Sequence, residues 1–245
     1  MQLGVIADIH GNSRALEAVL EDAARRGITE FVDLGDVLYG PLEPRRTYEL
    51  LRTVHLIRGV SGNQDRLIRD AARGRNATLD FVLDDLGHEP VEWLRGLPKT
   101  QVVEALLLCH GSPSSDTTYL LEDVSNGGPV VRAEVEILKD LVGFEDLAVI
   151  LCGHTHVPRF VQLKHGPLIL NPGSVGLPAY DDETPVPHFM ETYSPHACYA
   201  VLEKSVRGWT ASFHRVPYDW CAAAARAREL GRPDWAQGIE FGRMT

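Results

Sequence analysis

Short apolar runs alternate with amphipathic segments along the first third of the chain. We predict buried strands at residues 3–7, 31–35 and 54–59. Between them, apolar residues recur at helical spacing in residues 13–26 and 44–52, and Ser13 is expected to cap the first of these helices. Because strands and helices alternate, this part of the chain is expected to form a parallel sheet.

The rest of the chain is richer in predicted strands. These cover residues 100–103, 105–109, 147–152, 159–163, 168–171, 198–204 and 209–217. Helices are predicted at residues 66–86, 90–97, 131–142 and 220–230, before a polar tail. Two segments, 112–129 and the proline- and glycine-rich 172–196, are too long for tight turns and are interpreted as functional loops. Because no interdomain linker is visible, we expect one domain over residues 1–245.

Composition excludes several classes of function. The 245 residues are 44% hydrophobic, which is enough for a sizeable core, and the formal net charge is −10. A chain this acidic lacks the basic stripe that nucleic acid requires. No apolar run is long enough to cross a bilayer, and the first residues do not resemble a signal peptide. The four scattered cysteines are expected to be reduced, so we predict a cytoplasmic protein.

Polar side chains follow five of the predicted strands at the points where the strands end. They are Asp8, His10, Asp36, Asn63, His110, His154 and His156. In an open α/β sheet, ligands bind beyond the carboxyl ends of the strands, so these side chains are expected to meet at one edge. A lone Asp-x-His or Gly-Asp motif is usually an ordinary turn, whereas two histidines in a glycine-framed turn, as in Gly153-His154-Thr155-His156, are unusual outside metal sites. Five such segments in order, each at a strand end, would rarely arise together by accident.

The chemistry of this set points to metal ions. Imidazole, carboxylate and amide oxygen suit Mn, Fe, Zn, Co or Ni better than calcium. The absence of cysteine from this set of donors argues against a structural zinc site. Seven donors are too many for one tetrahedral ion but fit two metal ions that share a carboxylate. Such pairs lie about 3.5–4 Å apart and clamp a phosphoryl group. The predicted cofactors are therefore two divalent transition metal ions, with manganese the first choice.

The complete set resembles the calcineurin-like metallophosphoesterase superfamily. The matching pieces read Asp8-Ile9-His10, Gly35-Asp36, Gly62-Asn63-Gln64-Asp65, His110 and Gly153-His154-Thr155-His156. The resemblance spans residues 3–174, and the sequence NPGSVG at 171–176 is similar to that of the small bacterial phosphodiesterase-like branch. It implies an α/β (α+β) fold, a four-layer sandwich of two mixed β-sheets flanked by helices.

The resemblance also implies a role for each matching residue. One metal ion would be held by Asp8, His10 and His156, and the second by Asn63, His110 and His154, with Asp36 bridging the two. Asp36, Asn63, Gln64 and Asp65 would form the catalytic set, in which Asp65 orients a neighbouring group. Asn12 and Gln64 would face the phosphate. Tyr39 is a candidate from its position alone: it follows the bridging aspartate, where it would either close over the substrate or pack beneath a loop.

Gln64 is the departure from the family pattern. In the protein phosphatases of this superfamily the corresponding residue is a histidine beside the leaving group, and such acid assistance is worth about 10²–10⁴-fold. Glutamine can donate a hydrogen bond but cannot give up a proton. We therefore expect leaving groups that need little protonation to be favoured: phosphoanhydrides, nucleotide phosphates and activated aryl diesters.

The resulting hypothesis is a dinuclear-metal phosphohydrolase in which metal-bound hydroxide attacks phosphorus. Its expected substrate is a phosphate-containing small molecule, processed by a phosphodiesterase or a nucleotide or dinucleotide pyrophosphohydrolase. A phosphomonoesterase or protein phosphatase is the alternative enzyme. A third alternative is a non-catalytic binding scaffold, because a retromer subunit resembles this branch but has lost metal-site residues.

Overall fold

The computed structural model describes residues 2–70, 73–74 and 76–244. The strands are β1 (Gln2–Ile6), β2 (Glu30–Asp33), β3 (His55–Gly59), β4 (Thr100–Val103), β5 (Leu106–Cys109), β6 (Glu122–Asp123), β7 (Val130–Val131), β8 (Val149–Leu151), β9 (Arg159–Gln162), β10 (Leu168–Asn171), β11 (Ala179–Asp182), β12 (His188–Glu191), β13 (Ala197–Ser205) and β14 (Gly208–Val216). The helices are α1 (Ser13–Arg25), α2 (Pro44–Leu51), α3 (Asn63–Asp70), α4 (Ala77–Leu86), α5 (His88–Arg95), α6 (Glu134–Asp140), α7 (Trp220–Glu229) and α8 (Pro233–Phe241). None of these helices has the length and apolar character needed to cross a bilayer.

Two five-stranded mixed sheets form the centre of the molecule. The first has the order β14-β13-β1-β2-β3, and the second has the order β4-β5-β8-β10-β9. The predicted parallel pairing is confirmed for β1, β2 and β3, but β13 joins β1 in antiparallel orientation and makes the sheet mixed. In the second sheet, β5, β8 and β10 are parallel, so their carboxyl ends point to one edge.

The apolar residues separate into layers. One cluster lies between the two sheets, where Val5 and Val32 of the first sheet pack with Leu108 and Leu151 of the second. A second cluster buries the other face of the first sheet beneath α1, α2, α4, α7 and α8. A third places α6 on the outer face of the second sheet, through Ile137. The order helix–sheet–sheet–helix is the four-layer arrangement expected from the sequence.

Two local predictions about helices differ from the structure. Residues 66–86 do not form one helix: α3 ends at Asp70, and α4 begins after Asn76, whose side chain accepts a hydrogen bond from the Leu79 amide. Residues 71, 72 and 75 of that prediction lie outside the described residues. The cap of α1 is Asn12 and not Ser13, because the Asn12 side chain accepts from the Ala15 amide.

The remaining differences concern the long loop and the end of the chain. The segment 172–196 contains the β11–β12 hairpin, and the predicted polar tail contains α8. Both elements are fixed by burial: Met190 of the hairpin and Ile239 of α8 are fully buried. Both also lie beside the edge at which the candidate metal donors meet.

Candidate metal centre

The candidate donors sit in tight turns at the carboxyl ends of the strands. Five of the seven have a positive φ, between 53° and 69°: Asp8, His10, Asp36, His154 and His156. This left-handed region is uncommon for residues other than glycine and costs free energy, although Asp and His tolerate it better than most. Such strain concentrates at functional sites, where the turn aims a side chain that regular structure could not.

The first donor group consists of Asp8, His10 and His156, which are all buried and within 4.8 Å of one another through their ligand atoms. The Nδ1 atoms of the two histidines contact the backbone carbonyls of Tyr39 and Leu177. A neutral imidazole has one N–H, and each ring uses it in this contact. Both Nε2 atoms therefore present lone pairs, and they face one another at 3.1 Å.

A cation is the group that fits between these atoms. Asp8 Oδ1 is buried, has no hydrogen-bond partner among the described residues, and lies 3.5 Å from His156 Nε2. Burial lowers the pKa of His10 to about 4, so His10 stays neutral near pH 7. The lone pairs of the two Nε2 atoms and the Asp8 carboxylate oxygen then point at one another, and no proton lies between them to form a hydrogen bond. This donor set suits a divalent transition metal ion.

The second donor group consists of Asp36, His110 and His154. His110 Nδ1 contacts the Leu34 carbonyl at 2.8 Å, which directs its Nε2 toward Asp36 Oδ2 at 3.4 Å and Asn63 Oδ1 at 3.0 Å. The amide oxygen of Asn63 thus lies beside this group. Asp8 Oδ1 lies 4.0 Å from His110 Nε2, so the two groups adjoin.

The carboxylates in and beside the second group also favour a positive charge at this position. Burial alone would lower the pKa of His110, but the charge of Asp36, its hydrogen bond and the charge of Asp8 outweigh burial and raise this pKa to about 10. The carboxylates therefore draw a positive charge to His110 Nε2. A divalent ion would satisfy the same demand while keeping Nε2 as a ligand. Burial, followed by the charge of His110, lowers the pKa of His154 to about 4.

Asp65 organises the turns and does not line the cavity. Its side chain is fully buried and accepts hydrogen bonds from the backbone amides of Asp36 (2.8 Å), Val37 (3.0 Å) and Gly62 (2.9 Å). Burial, followed by the charge of Asp36, raises the pKa of Asp65 to about 6. The geometry is that of a positioning residue, so we correct the placement of Asp65 in the catalytic set while keeping its expected orienting role.

The turn at Gly62 must be a glycine because of how closely two loops approach. A Cβ atom at this position would lie 2.1 Å from Asp36 Oδ1. The backbone amide of Gln64, two residues later, donates a 2.8 Å hydrogen bond to the same oxygen. The glycine therefore allows the loop carrying Asn63 and Gln64 to close onto the Asp36 carboxylate.

The structure contradicts the expectation that Asn12 faces the phosphate. Asn12 is 1% exposed, and its Oδ1 accepts from the Ala15 amide. Its Nδ2 donates to the Gly176 carbonyl at 2.9 Å and to the Tyr218 hydroxyl at 3.2 Å. The amide is thus engaged in holding α1 against the segment 171–176, and nothing of it is presented to the cavity.

A cavity of about 220 Å³ opens above both donor groups. Gln64 and Tyr39 line it, and the Gln64 Oε1 atom has no hydrogen-bond partner among the described residues. The Tyr39 hydroxyl donates to Asn76 Oδ1 at 3.3 Å, and its buried ring forms part of the cavity wall. A second, larger groove of about 710 Å³ shares Asn63 and His154 with this cavity.

Sequence reasoning missed the residues that support the Gly153–His156 turn. The Tyr180 hydroxyl donates to the His154 carbonyl at 3.0 Å, and its ring packs 4.6 Å from that of His156. The chain of contacts continues from Tyr180 to the Tyr119 hydroxyl at 3.1 Å and from Tyr119 to His188 Nε2 at 3.0 Å. These three residues come from the two long loops, and only their position in loops near a site could have suggested them.

The segment 171–176 supports the same region from the other side. Asn171 Nδ2 donates to the Gly153 carbonyl at 2.8 Å and to Thr155 Oγ1 at 3.0 Å. Ser174 Oγ donates to the Asp8 carbonyl at 2.7 Å. The NPGSVG sequence therefore binds two of the strained turns to one another.

Comparison with known proteins identifies relatives of this chain. The model of the calcineurin-like phosphoesterase superfamily domain matches residues 1–192. A metallophosphoesterase from Sphaerobacter thermophilus has a similar crystal structure, with 27% identity and a TM-score of 0.76 over 99% of this chain and 100% of that chain. The hypothetical protein PH1004 from Pyrococcus horikoshii OT3 shares the fold at 21% identity, with a TM-score of 0.75 and 98% coverage of both chains.

One curated protein is also similar in sequence. The uncharacterized protein MJ0912 of Methanocaldococcus jannaschii is 28% identical over 204 residues, which cover 72% of this chain and 76% of that protein.

Proposed function

Because this chain belongs to the calcineurin-like phosphoesterase superfamily, we propose that it is a dinuclear-metal-dependent phosphohydrolase acting on phosphodiesters or on nucleotide anhydrides. The observation that carries the proposal is the convergence of two buried Asp/His groups at the floor of one cavity. A binding scaffold would have no need for histidine nitrogens that face one another in strained turns. The first group would hold one ion, and Asn63, His110 and His154 would hold the second, with Asp36 between them.

The bound ions would supply Lewis acidity, which activates water near pH 7 and offsets charge on the phosphoryl oxygens. The chain itself positions the donors: backbone carbonyls fix the ring orientation of His10, His110 and His156. The Asp65 carboxylate holds the Asp36 turn. Burial keeps His10 and His154 neutral and able to bind metal.

Gln64 limits the leaving groups that this site can release. It lines the cavity above the donors, where its amide can donate a hydrogen bond but no proton. The departing group must therefore be stable as an anion when the bond to phosphorus breaks. This favours aryl diesters and phosphoanhydrides over phosphoserine, and favours a diesterase or pyrophosphohydrolase over a protein phosphatase.

A substrate panel tests the proposal. Purified protein is assayed with Mn, Zn, Fe, Co and Ni in turn, against an aryl diester, an aryl monoester, nucleoside di- and triphosphates, a dinucleoside polyphosphate and a phosphoserine peptide. We expect metal-dependent hydrolysis of the diester or the anhydrides, and slow turnover of phosphoserine. Equal turnover of phosphoserine and aryl diester would contradict the proposed role of Gln64 in selecting the leaving group. The absence of hydrolysis with every metal would contradict the proposed phosphohydrolase activity.

A further inference from the structure

One wall of the cavity comes from the end of the chain, beyond the residues that the family model matches. Arg232, Trp235 and Met244 line it, whereas the family match ends at residue 192. Trp235 is nearly buried, and its ring meets that of His10 edge-on with centroids 5.4 Å apart. The first turn of α8 thus reaches the immediate neighbourhood of a candidate metal ligand.

Arg232 is held in a fixed orientation in this wall. Its Nε and Nη2 donate to the Asp234 carboxylate at 2.9 Å and 2.6 Å, and its Nη1 donates to Thr78 Oγ1 at 2.8 Å. The guanidinium carbon lies 5.3 Å from the centre of the Trp235 ring. These hydrogen bonds use three of the five N–H groups of a guanidinium. A planar cation fixed in this way is preorganised for a bidentate bond to a phosphate.

The charges around the cavity give Arg232 a distinct position. Asp181 and Asp182 line the same cavity and would repel an anionic ligand. Among the described lining residues, Arg232 is the one arginine or lysine. An anionic group entering beside Gln64 would therefore find its favourable partner in Arg232.

We propose that Arg232 binds the departing phosphate of a phosphoanhydride substrate, an inference that rests on the proposed hydrolase function. A departing phosphate is already anionic and needs no proton from the residue at position 64. In the reaction, a water oxygen forms a bond to the α-phosphorus of a nucleoside diphosphate, and the bond from that phosphorus to the bridging oxygen breaks. The electron pair stays on the departing phosphate, and the proton lost by water goes to the buffer.

The larger groove provides space for the other part of the substrate. It adjoins the first cavity at Asn63 and His154, and Arg232 does not line it. Thr117, Tyr119 and Thr184 line it with hydroxyl groups and an aromatic ring. A nucleoside is neutral, aromatic and hydroxylated, so the acidic residues of this groove would not repel it. The attacked phosphorus would then lie over the metal donors, with the departing phosphate in the cavity beside Arg232 and the nucleoside in the larger groove.

The test compares two substrates that differ only in the departing group. Thymidine 5′-diphosphate releases phosphate, and the 4-nitrophenyl ester of thymidine 5′-monophosphate releases nitrophenolate. Loss of charge-assisted hydrogen bonds in Arg232→Gln should lower kcat/KM for the diphosphate about 10–100-fold and leave the aryl ester little changed. Arg232→Lys should recover part of the loss. Arg228→Gln is the control, because Arg228 pairs with Glu240 and does not line the cavity.

Two further readouts separate the possible results. In heavy-oxygen water the label should appear in thymidine monophosphate, and inorganic pyrophosphate should inhibit aryl-ester hydrolysis less strongly in Arg232→Gln than in wild type. A parallel fall for both substrates, with a lower melting temperature, would overturn the proposal and make Arg232 a structural residue. Label in the released phosphate would also overturn it. Hydrolysis of neither substrate by the wild type would instead refute the hydrolase function itself.

Discussion

At the scale of single residues, the site is defined by which atoms lack a partner. The Nε2 atoms of His10 and His156 face one another at 3.1 Å, and Asp8 Oδ1 beside them is buried without a hydrogen-bond partner among the described residues. Buried polar atoms are normally satisfied, so this arrangement requires an explanation. A metal ion explains all three atoms at once, because each of them directs a lone pair into the same small volume.

Gln64 gives the residue-scale prediction. Gln64→His would restore an acid beside the leaving group, so we expect hydrolysis of phosphoserine or of an alkyl diester to rise about 10²-fold, at the lower end of the usual gain from acid assistance. Aryl diesters should gain little, because nitrophenolate leaves without a proton. Steady-state rates on matched alkyl and aryl substrates measure this. Gln162→His, at an exposed position of β9 that does not line the cavity, is the control. Equal gains on both substrates would contradict the leaving-group role.

At the scale of elements, strand-end turns present the donors and neighbouring loops brace those turns. Removing the Tyr180 hydroxyl in Tyr180→Phe would leave the His154 carbonyl without its 3.0 Å hydrogen bond. Changes of residues that support metal ligands typically cost 10–100-fold in affinity, so we expect manganese affinity to fall about 10-fold. Calorimetric titration measures it, and Tyr193→Phe is the control because Tyr193 is 70% exposed. Unchanged affinity would show that the hydroxyl does not position the turn.

The donor-bearing elements were predictable from sequence, and the supporting ones were not. Short apolar runs followed by Asp8, Asp36 or His110 place donors at strand ends, and parallel strands bring those ends together. The β11–β12 hairpin lies in a segment whose prolines and glycines resemble a loop, and only the tertiary burial of Met190 fixes it. The Asn12 cap was missed because the adjacent Ser13 is an equally good capping residue.

Helix α8 escaped prediction for a related reason. Its apolar residues are few and interrupted by Gly238, so no helical stripe is evident in the sequence. A Cβ at Gly238 would lie 2.2 Å from the Ala179 carbonyl, which shows how closely α8 approaches β11. The approach depends on residues that are far apart in sequence, and Arg232 and Trp235 become cavity residues only because of it.

At the scale of the whole molecule, we propose that residues 1–245 fold as one domain. Ala224 and Ile239 of the last two helices are fully buried in the same cluster as Leu16 of α1. Ile239→Ala should therefore lower the stability of the entire protein, by about 2–5 kcal/mol, within a single unfolding transition. Denaturant unfolding followed by two probes measures this. Phe241→Ala, at a side chain 45% exposed, should change it little. Two separate transitions would contradict the single domain.

The central claim is that two metal ions held by this edge of the molecule make it a phosphohydrolase. The most direct measurement is the rate of aryl-diester hydrolysis by metal-free protein as Mn²⁺ is added. The account predicts a rate that rises from zero to a plateau at about two ions per chain, as two-metal phosphoesterases require. Asp36→Asn should abolish the rise, whereas Asp84→Asn, at an exposed ion pair, should not. Full activity without metal, or no activity at any metal concentration, would contradict it.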